Sequence, residues 1–158
     1  MVFAFGGIVL DIDVKKTRAL YERLAPVTAG CSCSGCRNYE RAAADFPPEV
    51  RTFFSELGID PEKACEIIPW FAEDGGRSMY YGGFYHLCGS IVSGEDCWTD
   101  SDNISIPNQA GYFTITNGYS VGFTSRIALP EEALTSPAVQ MEIGFHGVPW
   151  KLPDENPY

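Results

Sequence analysis

The chain has 158 residues, with 45% hydrophobic and 13% aromatic side chains and a net charge of −10 from 21 acidic and 11 basic residues. That composition is far from a disordered one, and the length suits a single domain whose core needs no disulfide staples. No run of Lys and Arg is dense enough to neutralise a row of phosphates, which disfavours nucleic acid and anionic membranes as partners. No apolar stretch approaches the roughly 20 residues that cross a bilayer.

The N-terminal apolar run lacks a basic flank and meets Asp11 and Asp13 before any small-residue cleavage site, so it does not read as a signal peptide. A cytoplasmic location is expected, in which the six cysteines serve as thiols or ligands rather than bridges. "GGIVLDIDV" reads as a first strand, and Asp13 caps a helix predicted over 15–24 that Pro26 ends. "SGCRNYERAAAD" predicts a second helix over 35–44. The third, over 48–57, has Pro47 and Pro48 at its start. Val50, Phe53, Phe54 and Leu57 form its buried stripe, and Gly58 its left-handed stop.

From about Ile67 onward strands dominate. "RSMYYGGFYHLCGSIV" gives one or two, "GEDCWTDSDN" a polar loop, and "YFTITNGYSVGF" a hairpin. A three-residue loop over 116–118, with Gly118 left-handed and a bulge, puts Phe113, Ile115, Tyr119, Val121 and Phe123 on one face. "AVQMEIGFH" alternates, with Val139, Met141, Ile143 and Phe145 inward and Gln140, Glu142 and His146 outward, as in a half-buried strand. The expected fold is α+β, one domain over 1–158. Its N-terminal strand and short helices pack on a mainly antiparallel sheet formed by the C-terminal half.

Three cysteines fall within six positions in "CSCSGC", residues 31 to 36. Cys33 and Cys36 have the CxxC spacing of a zinc knuckle, and a tetrahedral site needs further soft or borderline ligands. His86 and Cys88 supply the best second pair, because residues i and i+2 of a strand project to one face. Cys31, Cys65, Cys97 and His146 are spare donors. A helix beginning near Ser34 would instead place Cys33 and Cys36 where amide dipoles and Arg37 favour thiolate, a redox arrangement that here lacks the usual preceding buried strand. The plainest reading is that the thiols pack as small hydrophobes.

Asp11 and Asp13 resemble the aspartate pair of haloacid-dehalogenase-type phosphotransferases, but Val14-Lys15 follows where those enzymes have Gly-Thr. Asp96, Asp100, Asp102 and Asn103 depart from EF-hand spacing and read as a solvated loop. "YYGGFY" is the densest aromatic run. Tyr80, Tyr81, Phe84 and Tyr85, joined by Trp98, could line a surface for a protein or small ligand. The primary expectation is therefore a binding or interaction module without a catalytic centre or cofactor, with homodimer formation through sheet edges as a further option. The alternative is a zinc-binding or thiol-redox protein built on CxCxxC.

"CSCSGCRN" and "YYGGFYH" together resemble small bacterial proteins, without assigned activity, that carry CxCxxCRN near the N-terminus and Tyr-Tyr-Gly-Gly-aromatic-Tyr-His midway. The resemblance implies a bacterial cytoplasmic protein and transfers no catalytic residue.

Overall fold

Gly6 and Gly7, at φ 51° and 89°, turn the chain back on itself at its start in the computed structural model, which describes residues 1 to 158. The turn joins strands β1 (Val2–Phe5) and β2 (Ile8–Ile12), paired antiparallel. The single strand expected here is thus a hairpin, because two successive glycines at positive φ make the tight turn that matches strand twist.

Helix α1 (Val14–Arg23) follows, and the Asp13 carboxylate accepts from the Lys16 N–H at 3.0 Å. Helices α2 (Ser34–Ala43) and α3 (Pro48–Leu57) lie within one residue of the predicted spans, α3 with the start, stripe and stop read from its sequence. In α3 the four stripe residues are all buried, and Gly58 ends the helix at φ 80°.

The remaining strands are β3 (Glu66–Glu73), β4 (Ser78–Ser93), β5 (Trp98–Ser101), β6 (Ile104–Pro107), β7 (Tyr112–Thr116), β8 (Tyr119–Thr124) and β9 (Ala138–Pro149). Seven of the nine form one antiparallel sheet in the order β1-β2-β4-β9-β8-β7, with β3 also paired to β4. β3 flanks the first half of β4 and β2 the second half, while β9 runs along the other edge. The fold is α+β, and the N-terminal hairpin belongs to the sheet. β5 and β6 pair separately, turning at Asp102 and Asn103 with φ 49° and 65°. The expected polar loop therefore contains a strand of its own. At the β7–β8 hairpin Gly118 is left-handed and Phe113 faces Val121, as read from the sequence, while the extra residue is absorbed between Thr114 and Thr116.

The three helices cover one face of the sheet, where aromatic rings interlock at edge-to-face angles. Phe46 meets Phe145 at 5.6 Å between centroids, Phe54 meets Tyr85 at 5.0 Å, and Tyr39 meets Tyr81 at 5.2 Å. Buried phenols find partners. Tyr39 and Tyr85 share a 2.6 Å hydrogen bond, and Tyr85 also donates to the Pro61 carbonyl. The opposite face is covered as well, since Gln140 and Glu142 are 4% and 9% exposed. The half-buried strand expected from their alternation is thus buried on both sides from Val139 to Ile143, while His146 stays exposed. No helix is long and apolar enough to cross a membrane.

Phe54 is 1% exposed and packs edge-to-face on Tyr85 of β4 and Phe145 of β9. Phe54→Ala should cost about 3–5 kcal/mol in a urea titration. A loss below about 1 kcal/mol would mean that α3 does not anchor the core.

Candidate metal centre

The sulfur atoms of Cys31, Cys33 and Cys36 all lie within 4.8 Å of one another. Local folding brings them together. Cys33 is the N-cap of α2, and its Sγ accepts the Cys36 N–H at 3.4 Å, so CxxC spacing becomes one helical turn that closes on itself. Cys31, two residues earlier, leaves a turn in which its N–H donates to the Val27 carbonyl at 3.2 Å, and its thiol joins the same cluster.

The helix start is seated by a close approach. A Cβ on Gly35 would fall 2.6 Å from the Pro69 ring and 2.8 Å from the Tyr158 hydroxyl. Gly35 is therefore a contact surface, on which the absence of a side chain lets Pro69 and Tyr158 close in. Tyr81, reaching up from β4, donates to the Gly35 carbonyl at 2.9 Å. Tyr158 accepts from the Gly35 N–H at 3.2 Å and donates to the Cys33 Sγ at 3.8 Å.

The three thiols differ electrostatically. Cys31 and Cys33 are exposed and Cys36 is buried. Partial burial works to raise the Cys33 pKa, but hydrogen bonds from the Cys36 N–H, Cys31, Tyr158 and the Cys36 thiol outweigh it and bring Cys33 down to about 7. Burial first, then its Cys33 and Cys31 neighbours, push Cys36 well above the usual thiol range.

His86 and Cys88 are not part of this cluster. They do share a face of β4, as their spacing predicts, but it is the face turned away from α2. The His86 ring lies 3.3 Å from Cys65 Sγ and 3.2 Å from Gln140 Oε1, and the Cys88 sulfur accepts from Thr135. The four expected donors Cys33, Cys36, His86 and Cys88 therefore do not converge; the sulfurs that do are those of Cys31, Cys33 and Cys36.

The aromatic residues divide by the same alternation. Tyr81 and Tyr85 are fully buried under the helices, and Phe84 is buried at 5% exposure beside His86. Only Tyr80 and Trp98 of the five line a surface groove. Tyr158 carried no signal in the sequence, because its contact with Cys33 spans almost the whole chain. Cys31 could have been found by counting all three cysteines of the stretch as one set.

Comparison with models of known protein families, with curated protein sequences and with solved structures gives no match. The resemblance to small bacterial proteins rests on the two quoted stretches.

The contrast between Cys33 and Cys36 sets a pH dependence, since thiolate is the reactive form. In metal-free protein, iodoacetamide should alkylate Cys33 with a rate that rises through a midpoint near about 7, while Cys36 stays unmodified. A midpoint at the ordinary thiol value of about 8.5, or faster labelling of Cys36, would contradict the assigned environments.

Proposed function

We propose that the protein binds a thiophilic d10 cation, zinc(II) foremost, through Cys31, Cys33 and Cys36. The observation that carries the reading is the convergence of the three sulfurs within 4.8 Å. Tetrahedral zinc with Zn–S bonds of about 2.3 Å holds its sulfurs about 3.8 Å apart, so a contraction of about 1 Å or less completes the site. The Cys36 N–H in the first turn of α2 faces the cluster and offsets part of the charge that three thiolates concentrate there. Two of the three sulfurs are exposed. Three protein ligands with an open fourth position suit a metal that is exchanged or presented to another molecule, whereas structural zinc sites are closed by four.

A second reading, thiol–disulfide exchange, is favoured by the pairing of an exposed Cys33 with a buried Cys36 across one helical turn. The Cys33 thiolate would attack a substrate disulfide and release one substrate thiolate. Cys36 would then attack the mixed disulfide, leaving a Cys33–Cys36 disulfide and the substrate as a dithiol, with its two electrons drawn from the protein's thiols.

Cobalt(II) added to reduced protein should produce thiolate-to-metal absorption that saturates at one equivalent and is displaced by zinc. Cys31→Ser and Cys33→Ser should each weaken zinc binding by about tenfold or more, and Cys88→Ser should leave it unchanged. Absence of stoichiometric binding, or an equal loss in Cys88→Ser, would remove the metal reading. A rapid, reversible Cys33–Cys36 disulfide without metal affinity would favour the second.

A further inference from the structure

The face of the sheet opposite the helices carries a groove of about 470 Å³. Trp70, Tyr80, Trp98 and Tyr112 line it, and Gly82 and Gly144 contribute stretches of bare backbone. A Cβ on Gly82 would fall 2.5 Å from Trp70 Nε1, so the indole leans over β4 only because no side chain stands there. Tyr80 is held by stacking on His146, with centroids 3.8 Å apart and planes 4° apart, and His146 Nδ1 lies 2.8 Å from Glu73 Oε1.

Glu142, nine-tenths buried, is the only carboxylate in the lining, and no Lys or Arg lines the groove. Its Oε1 accepts from Trp98 Nε1 at 3.1 Å and from Gln140 Nε2 at 2.6 Å. Its Oε2 has no hydrogen bond in the protein. Since every fully buried side-chain polar atom has a partner, Oε2 keeps access to solvent, and Glu142 lines the groove.

A buried polar chain fixes this carboxylate. Gln140 Oε1 accepts from the Ala128 N–H at 2.7 Å and from His86 Nε2 at 3.2 Å. His86 Nδ1 faces Cys65 Sγ at 3.3 Å. Burial lowers the His86 pKa and pushes the Cys65 thiol up to about 12, so a neutral thiol donates to a neutral imidazole whose other N–H points at Gln140. The Gln140 amide is thereby oriented with its NH₂ toward Glu142. Burial also raises the Glu142 pKa, against the two hydrogen bonds it accepts, and Glu66 and Asp96 add to the rise. The ionised carboxylate has donors on one side and no counter-charge on the other.

We propose that this groove binds a small organic ammonium ion, with an N–H on Glu142 Oε2 and the body of the ligand against the aromatic walls. The charge selects the class. A cation beside aromatic faces gains from the ring quadrupoles and supplies the missing counter-charge, whereas a neutral sugar or alcohol leaves the carboxylate uncompensated. A protonated amine also satisfies Oε2 by hydrogen bonding, which a quaternary ammonium cannot. The site is on the other side of the sheet from the three thiols and does not depend on the metal reading.

The test uses the full chain and 2-phenylethylammonium, followed by calorimetry and tryptophan fluorescence, with 2-phenylethanol and methyl glucoside as neutral comparisons. The ammonium should bind saturably at millimolar concentrations or below and at least about tenfold tighter than either neutral compound. Glu142→Gln keeps an Oε1 acceptor for Trp98 and should keep the fold while weakening the ammonium at least about tenfold. Trp70→Ala, at a position 55% exposed, should weaken it about threefold or more and serves should Glu142→Gln fail to fold. Unchanged affinity in folded Glu142→Gln or in Trp70→Ala would overturn the proposal. Equal binding of phenylethanol or the glucoside, or no saturable binding of the ammonium, would do the same.

Discussion

Strand β4 is buried on both faces, and the rest of the molecule is arranged around that constraint. Met79, Tyr81, Tyr85 and Leu87 point into the helices and are fully buried, while His86 and Cys88 point the other way and are 0% and 3% exposed. A strand with two covered faces has no solvent side on which to place a polar residue cheaply, so each polar group it carries must find a partner inside. Tyr85 does so through Tyr39 and Pro61, and His86 through Cys65 and Gln140. The helix side solves the problem with phenols that bridge elements, and the other side with a linear chain that ends at a carboxylate. In the absence of the β5–β6 hairpin, which brings Trp98 over Glu142, that chain would end in water.

The thiol cluster follows a different logic, because it is made almost entirely by local structure. One helix start and the residues leading into it supply all three sulfurs, and the long-range contribution is positional. Pro69 of β3 and Tyr158 bracket Gly35, and Tyr81 holds its carbonyl. A donor set of this kind can change geometry with only a few residues of backbone moving, whereas the buried chain beside Glu142 is locked by packing on several strands. Exposed sulfurs at a helix start and a carboxylate held in a buried polar chain are suited to different chemistry, and the fold separates them.

Much of the architecture was legible in the sequence, for physical reasons that can be named. Helices α1 and α3 carried capping or periodic signals whose energy is local: Asp13 before α1, Pro48 and the Val50–Leu57 stripe in α3, and Gly58 after it. Alternation assigned the faces of β9 correctly, but it could not reveal that Gln140 and Glu142 lie beneath a roof, since that roof comes from a segment whose Asp-rich sequence reads as a loop. The same limit explains why the four expected donors do not meet. Spacing showed that His86 and Cys88 share a face, yet which face α2 lies against is decided by tertiary packing and leaves no trace in spacing. The CxxC drew attention to the right helix, and the third thiol was within the same six residues.

β3 separates the two sites by a single strand's thickness. Ile67 and Pro69 face α2, with the Ile67 carbonyl 4.0 Å from Cys36 Sγ and the Pro69 ring against Gly35, while Ile68 and Trp70 line the groove behind them. Adjacent positions of one strand thus serve opposite sites. An insertion or deletion of one residue there would reverse both walls together, turning Trp70 toward the thiols and proline toward the aromatic rings. The stretch from Ile67 to Trp70 is consequently a shared reading frame in space, in which length is constrained more tightly than the identity of any one side chain.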